Sequence, residues 1–261
     1  MDFGRAIRSL LSEDAEVFLW NEAFTFGRSF FETLVDASPN FDFAILVLTA
    51  DDLIQSRNDE ILGPRENVIF ELGLFTGRLG RSRTFIVHQA NTQSKIPTDL
   101  SGVATAQFSW PRHDNNHKAA VGPACDVIRN VIRELGVSEA KTEMQVGDLR
   151  SHQKPTGSRL RTIDIAPSRI FGEPQQHNQW PDVFVLMPFN NALRPVYEDH
   201  IQEVMTRLQL RVARADNFFT NDSIMADIWS AINAALIIIA DCTGRNPNVF
   251  YEVGIAHALG K

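Results

Sequence analysis

The chain has almost no cysteine. Cys125 and Cys242 are the only two in 261 residues. They lie far apart, and neither has Cys or His neighbours at metal-ligand spacing. This excludes a disulfide framework and a structural zinc site, and it fits a reduced interior. Basic runs are missing as well. A net charge of −7 repels a phosphate backbone, so direct nucleic-acid binding is not expected. No apolar stretch approaches the roughly 18 residues that a membrane span needs. The first residues carry Asp2, Arg5 and Arg8 in a helical pattern and do not read as a signal peptide. A phosphate-cradling glycine loop and a metal cluster are also lacking. These absences predict a soluble, cytoplasmic protein with no membrane partner. Hydrophobic residues make up 44%, which is ordinary for a globular chain with room for two domains.

What is present is a phrase written twice. Asn67-Val68-Ile69-Phe70-Glu71-Leu72-Gly73 and Asn248-Val249-Phe250-Tyr251-Glu252-Val253-Gly254 share Asn-Val-x-x-Glu-x-Gly. Each copy follows an apolar strand with an acidic residue near its end. The first strand is Phe43–Thr49, then Asp51 and Asp52; the second is 235–240, then Asp241. A repeated strand, acid and helix unit predicts two domains of related plan. In the first copy Pro64 suits the opening turn of a helix. Val68, Leu72, Phe75 and Leu79 form its expected buried stripe. Asn67, Glu71 and Arg78 form a polar line along the edge of that stripe.

Elsewhere the pattern alternates. Helical spacing covers 2–11, 27–37 and 119–135, with a short strand at 16–20 and strands at 83–87 and 103–110. The stretch from Asp51 to Gly63 reads as a polar loop. Periodicity fades from 136 to 180, where Pro155, Gly157, Pro167, Gly172 and Pro174 mark a linker. A strand at 183–189, a helix at 194–208, a strand at 210–215 and a helix at 224–234 then lead to the second copy of the phrase. Near-continuous Val/Ile/Leu strands between helices predict an α/β fold with doubly wound parallel sheets. The expected domains are 1–136 and 181–261, with 137–180 between them.

The run from Asp42 to Asp52, followed by Pro64 to Arg81, resembles the bacterial TIR-like domain. That group is described as predicted nucleotide-binding effectors of cyclic-nucleotide-triggered antiphage systems. The resemblance covers about residues 1–136. It implies a flavodoxin-like sheet and NAD+ glycohydrolase activity, with Glu71 as the catalytic glutamate and Asn21–Phe26 as the loop over the nucleotide. It also implies action as a homo-oligomer. The second segment resembles nucleoside 2-deoxyribosyltransferase-like proteins through Val183–Phe189, Ala240–Gly244 and Asn246–His257. There the glutamate matching Glu252 attacks the anomeric carbon. The TIR-like family begins with a strand before its first helix, and the second family continues past its glutamate helix. Both sheets are therefore expected to be incomplete at a chain end.

The implied chemistry requires little machinery. Cleaving the nicotinamide–ribose bond passes through an oxocarbenium-like state, which a carboxylate beside the anomeric carbon stabilises or attacks. Nicotinamide leaves as a neutral molecule, so no general acid is required. NAD+ is a substrate here, and no cofactor is expected. Asn67 would hold a ribose hydroxyl or orient Glu71. Asp51 and Asp52 read equally as ribose contacts or as loop caps. Arg65 is a candidate for pyrophosphate, and Arg78 reads more simply as a solvated helix residue. Phe24 and Trp20 are candidates to stack on a base, with Trp20 also suited to the core. In the second segment Glu252, Asp241 and Asn248 form the corresponding set, and His257 reads as a packed helix residue. That segment has three open readings: a second hydrolase or transferase, a sensor without catalysis, or a docking module.

Overall fold

The computed structural model describes residues 2–22, 30–49, 52–56, 59–90, 103–137, 180–217 and 224–261. The expected linker lies almost wholly outside these residues.

The N-terminal sheet has three parallel strands in the order β1-β4-β5: β1 (Ala44–Leu48), β4 (Thr84–Gln89) and β5 (Ala104–Phe108). Ala44 pairs with Thr84, and Phe85 with Ala104. The central strand β4 is buried from Thr84 to Val87, as helices on both faces require. Side chains alternate between two cores. Phe85 and Val87 join α1 (Asp2–Leu11) and α4 (His117–Leu135) on one face. Leu46, Leu48 and Ile86 join α2 (Phe30–Ala37) and α3 (Glu66–Leu79) on the other. This is a doubly wound parallel α/β unit. The complete strand order of a flavodoxin-like sheet is not found among the described residues.

Two expectations change here. Residues 52–63 are not a loop: β2 (Asp52–Ser56) and β3 (Asp59–Gly63) form an antiparallel hairpin, pairing Ile54 with Ile61. Two residues separate these strands, the commonest hairpin connection. The expected strand at 16–20 does not form. Ala15–Leu19 has no strand pairing, and Trp20–Glu22 makes a 3-10 turn. A strand needs a hydrogen-bonded neighbour, and none of the described strands runs beside this one.

The C-terminal strands form a second parallel sheet in the order β7-β6-β8: β6 (Val183–Leu186), β7 (Val212–Arg214) and β8 (Ile237–Ala240). Central β6 is fully buried. At the edge, Ile237 and the preceding Leu236 are exposed. The expected helix over 194–208 begins as a π-helix, Val196–Gln202, and continues as α5 (Glu203–Arg207). Then follow α6 (Ile224–Ala234) and α7 (Pro247–Ala258). Asn246 caps α7, its side chain accepting from the Asn248 N–H at 2.9 Å, and Pro247 opens the helix. Among the described residues no helix is long and apolar enough to cross a membrane.

One buried cluster spans both sheets. It runs from Leu34, Leu46 and Leu72 to Phe184, Trp229, Tyr251 and Ile255. The bridge is the packing of α3 on α7, the most extensive contact between any two elements.

Candidate active site

Helix α3 starts after buried Pro64 and ends at Gly80, whose φ of 88° lies in the left-handed region that glycine tolerates. The predicted single stripe is too narrow for what this helix does. Leu72 and Phe75 are buried, but so are Ile69, Gly73, Leu74, Thr76 and Gly77. The N-terminal sheet covers one side and α7 covers another. Glu71 lies at the border of the buried surface and lines a cavity of about 350 Å³.

Trp20, Phe41, Val68 and Phe75 share that cavity, together with Ala44–Val47 and Thr49. Four consecutive residues of β1 thus form one wall, along the strand edge that no described strand pairs with. Thr49 follows the carboxyl end of β1, the end at which open α/β sheets bind ligands. The lining is mostly apolar. Burial in it pushes the Glu71 carboxyl up from 4.5 to about 7, because a low-dielectric surrounding penalises the charged form. Among the described residues, none makes a hydrogen bond or ion pair with that carboxyl.

The other candidates are dispersed. Trp20 lines the same cavity as Glu71. Asn67 is exposed and outside the lining, one turn earlier on α3. Arg65 is exposed at the amino end of the helix, in extended conformation. Arg78 is half-buried, and burial lowers its pKa. Asp52 opens β2; Asp51 and Phe24 lie outside the described residues. In the second segment Asp241 follows β8 and accepts from the Thr243 N–H at 2.8 Å. Asn248 is half-buried in the first turn of α7, and Glu252 is buried at 7% exposure. His257 packs edge-on against Phe70, ring centroids 5.6 Å apart, and burial lowers its pKa. Cys125 and Cys242 are both free thiols.

The sequence reading missed Thr49, one residue past the apolar strand. It also missed the small residues Gly73, Gly77, Gly254 and Ala258. Their spacing of four inside the repeated phrase was the available signal.

Residues 2–110 match the family model described as CAP12/Pycsar effector protein, TIR domain. Glu71, its cavity and the β1-β4-β5 sheet all fall inside this TIR-like segment. The chain is 43% identical over 109 residues to CD-NTase-associated protein 12 of Flavobacterium daejeonense, covering 41% of this chain and 34% of that protein. It is 34% identical over 138 residues to the Pycsar effector protein PaPycTIR of Pseudomonas aeruginosa, covering 52% and 45%. CD-NTase-associated protein 12 of Niabella drilacis is 36% identical over 145 residues, covering 53% and 43%. The chain thus spans less than half the length of these curated relatives. Residues 2–110 are thus similar to the TIR domain of these proteins. The resemblance of the C-terminal segment to deoxyribosyltransferases draws no support from them.

Proposed function

We propose that the TIR-like segment is an NAD+ glycohydrolase and that Glu71 is its catalytic carboxylate. The observation that carries this reading is Glu71 itself: a carboxyl in a mostly apolar cavity along the open edge of β1, within residues matching a TIR effector model. In the proposed step the bond from ribose C1′ to the pyridinium nitrogen breaks. Its electron pair neutralises the ring, and nicotinamide leaves. The Glu71 carboxylate stabilises the positive charge that grows on the ribose. Water then adds to C1′ and releases a proton, giving ADP-ribose. A poorly hydrated carboxylate suits this role, since its field on the developing cation is little screened. Trp20, in the same cavity, supplies an aromatic face for a base.

The wider setting belongs to the same proposal. The named relatives are a Pycsar effector protein and two CD-NTase-associated proteins. By that likeness this protein is an antiphage effector that acts in the cytoplasm as a homo-oligomer and responds to a cyclic nucleotide. The proposed units are 1–136 and 181–261, joined by 137–180. A second reading gives the C-terminal unit an N-glycosidase or transferase role on nucleosides. It is favoured by Glu252, a buried carboxyl in the same repeated phrase. Chromatography of NAD+ and of nucleosides after incubation with the protein separates these readings. Nicotinamide release that disappears in Glu71→Gln supports the first; undiminished release by that variant refutes it.

A further inference from the structure

The two copies of the repeated phrase touch. A Cβ built on Gly73 would lie 2.0 Å from the carbonyl oxygen of Tyr251, and one on Gly254 would lie 2.2 Å from that of Phe70. A Cβ on Gly77 would lie 2.3 Å from Cβ of Ala258. In the two phrases Phe70 corresponds to Tyr251, Gly73 to Gly254 and Gly77 to Ala258. The contacts are reciprocal. Each helix presents its glycine to the carbonyl of the residue equivalent to the other's. That is the pattern of a two-fold interface, here made inside one chain. Contacting positions advance together along both helices, so α3 and α7 run parallel.

No side chain fits at Gly73 or Gly254 unless a backbone moves. Glycine serves close approach here, since neither residue has a positive φ. The contact brackets Glu71, which follows Phe70 directly and precedes Gly73 by two residues. Its carboxyl faces the cavity while α7 seats against another side of the same turn. Helix α3 is therefore held between β1 and α7, and α7 limits how far it can retreat from β1. A salt bridge of 3.2 Å from Arg245 to Glu66 ties the amino ends of the two helices together.

We propose that Gly254 and Ala258 are positioning residues for Glu71. The C-terminal half, through these two positions, sets the depth at which the Glu71 carboxyl is buried. Only the turnover arm of the test rests on the NAD+ reading; the burial arm does not.

The experiment uses the full chain carrying Gly254→Ala, with and without Glu71→Gln. Ile128→Ala, in α4 on the opposite face of the N-terminal sheet, is the control for general destabilisation. The first readout is the gap in melting temperature that Glu71→Gln opens in each background, followed with pH. It should change by half or more in the Gly254→Ala background and stay unchanged in the Ile128→Ala background. The second readout is NAD+ cleavage. Displacing a reacting group by about 1 Å costs on the order of 100-fold, so kcat should fall about 10- to 100-fold with KM within about 3-fold. An unchanged gap in a folded Gly254→Ala chain overturns the proposal. Gly77→Ala, a turn farther from Glu71, replaces Gly254→Ala if that chain does not fold. If the unmodified chain leaves NAD+ intact, the catalytic reading fails and the gap alone decides the positioning role.

Discussion

Replacing Glu71 with glutamine should stabilise the protein, increasingly as pH rises from about 4.5 to about 7. The native carboxyl titrates at about 7 against 4.5 for an exposed glutamate. Between those values the folded chain binds a proton that the unfolded chain has released. Stability then falls as pH rises, because the unfolded state holds fewer protons. The loss begins near the unfolded value and is complete once pH exceeds the folded one. Each tenfold difference in proton affinity is worth about 1.4 kcal/mol, so the displacement corresponds to about 3 kcal/mol above pH 8. Some exposure at the cavity mouth reduces this to about 2–3 kcal/mol. Glutamine has the shape of the protonated acid and carries no such penalty. The two chains should melt close together below pH 5 and diverge by roughly 4–12 °C at pH 8.5, at about 2–4 °C per kcal/mol for a chain of this size. Differential scanning fluorimetry across that range, repeated by urea titration, reads the gap directly. A gap independent of pH, or a glutamine chain less stable at pH 8.5, would refute the burial argument.

The remaining predictions concern turnover, packing and acid stability. If ionised Glu71 is required, kcat/KM for NAD+ cleavage should rise about tenfold per pH unit below its midpoint near 7 and level off above it; stopped-time chromatography over pH 5.5–9 checks this. Leu72→Ala, at 0% exposure between the N-terminal sheet and α7, should cost about 2–5 kcal/mol in urea unfolding. Arg245→Ala removes a half-exposed bridge to Glu66 and should cost no more than about 1 kcal/mol. Asp14 accepts from Arg129 at 2.7 Å and from Arg133 at 2.9 Å, and the Arg129 bond chiefly holds its carboxyl below the usual range. Its contribution is therefore present above the ordinary carboxylate value and lost as pH falls through the lowered one. Asp14→Asn should lower the melting temperature at pH 7 and lessen its drop on the acid side.

How much was legible in the sequence depended on where each element's partner lay. Strands β4 and β6 could be read because burial on both faces gives continuous apolar runs, and β1, though only alternately buried, carries the same kind of run; such runs need no knowledge of a neighbour. The hairpin at 52–63 escaped because its Asp, Gln and Glu residues mimic a loop, and only pairing across the turn makes it a sheet. The segment Glu16–Trp20 fails in the opposite sense. Its composition fits a strand, but a strand is defined by a ladder, and the described residues supply none beside it. The helix over 194–208 is legible but with the wrong winding, because a π turn inserts its extra residue without altering the apolar residues that mark the helix.

Helix α3 is the most instructive case. Reading one apolar stripe located Glu71 at its border, and the structure keeps it there, on a cavity that Trp20 also lines and Asn67 does not. The stripe did not reveal that the helix is covered on a second side. Glycines carry no hydrophobic signal, so a face built from Gly73 and Gly77 looks blank to any periodicity argument. Its meaning appears only when the repeated phrase is aligned and the same blanks recur at Gly254 and Ala258. Side-chain volume is what a pattern search counts, and close backbone contact is made where volume is absent. The repeat was therefore evidence for more than two related units. It marked the surface through which the two sheets share one buried core, and that surface adjoins the turn that carries Glu71.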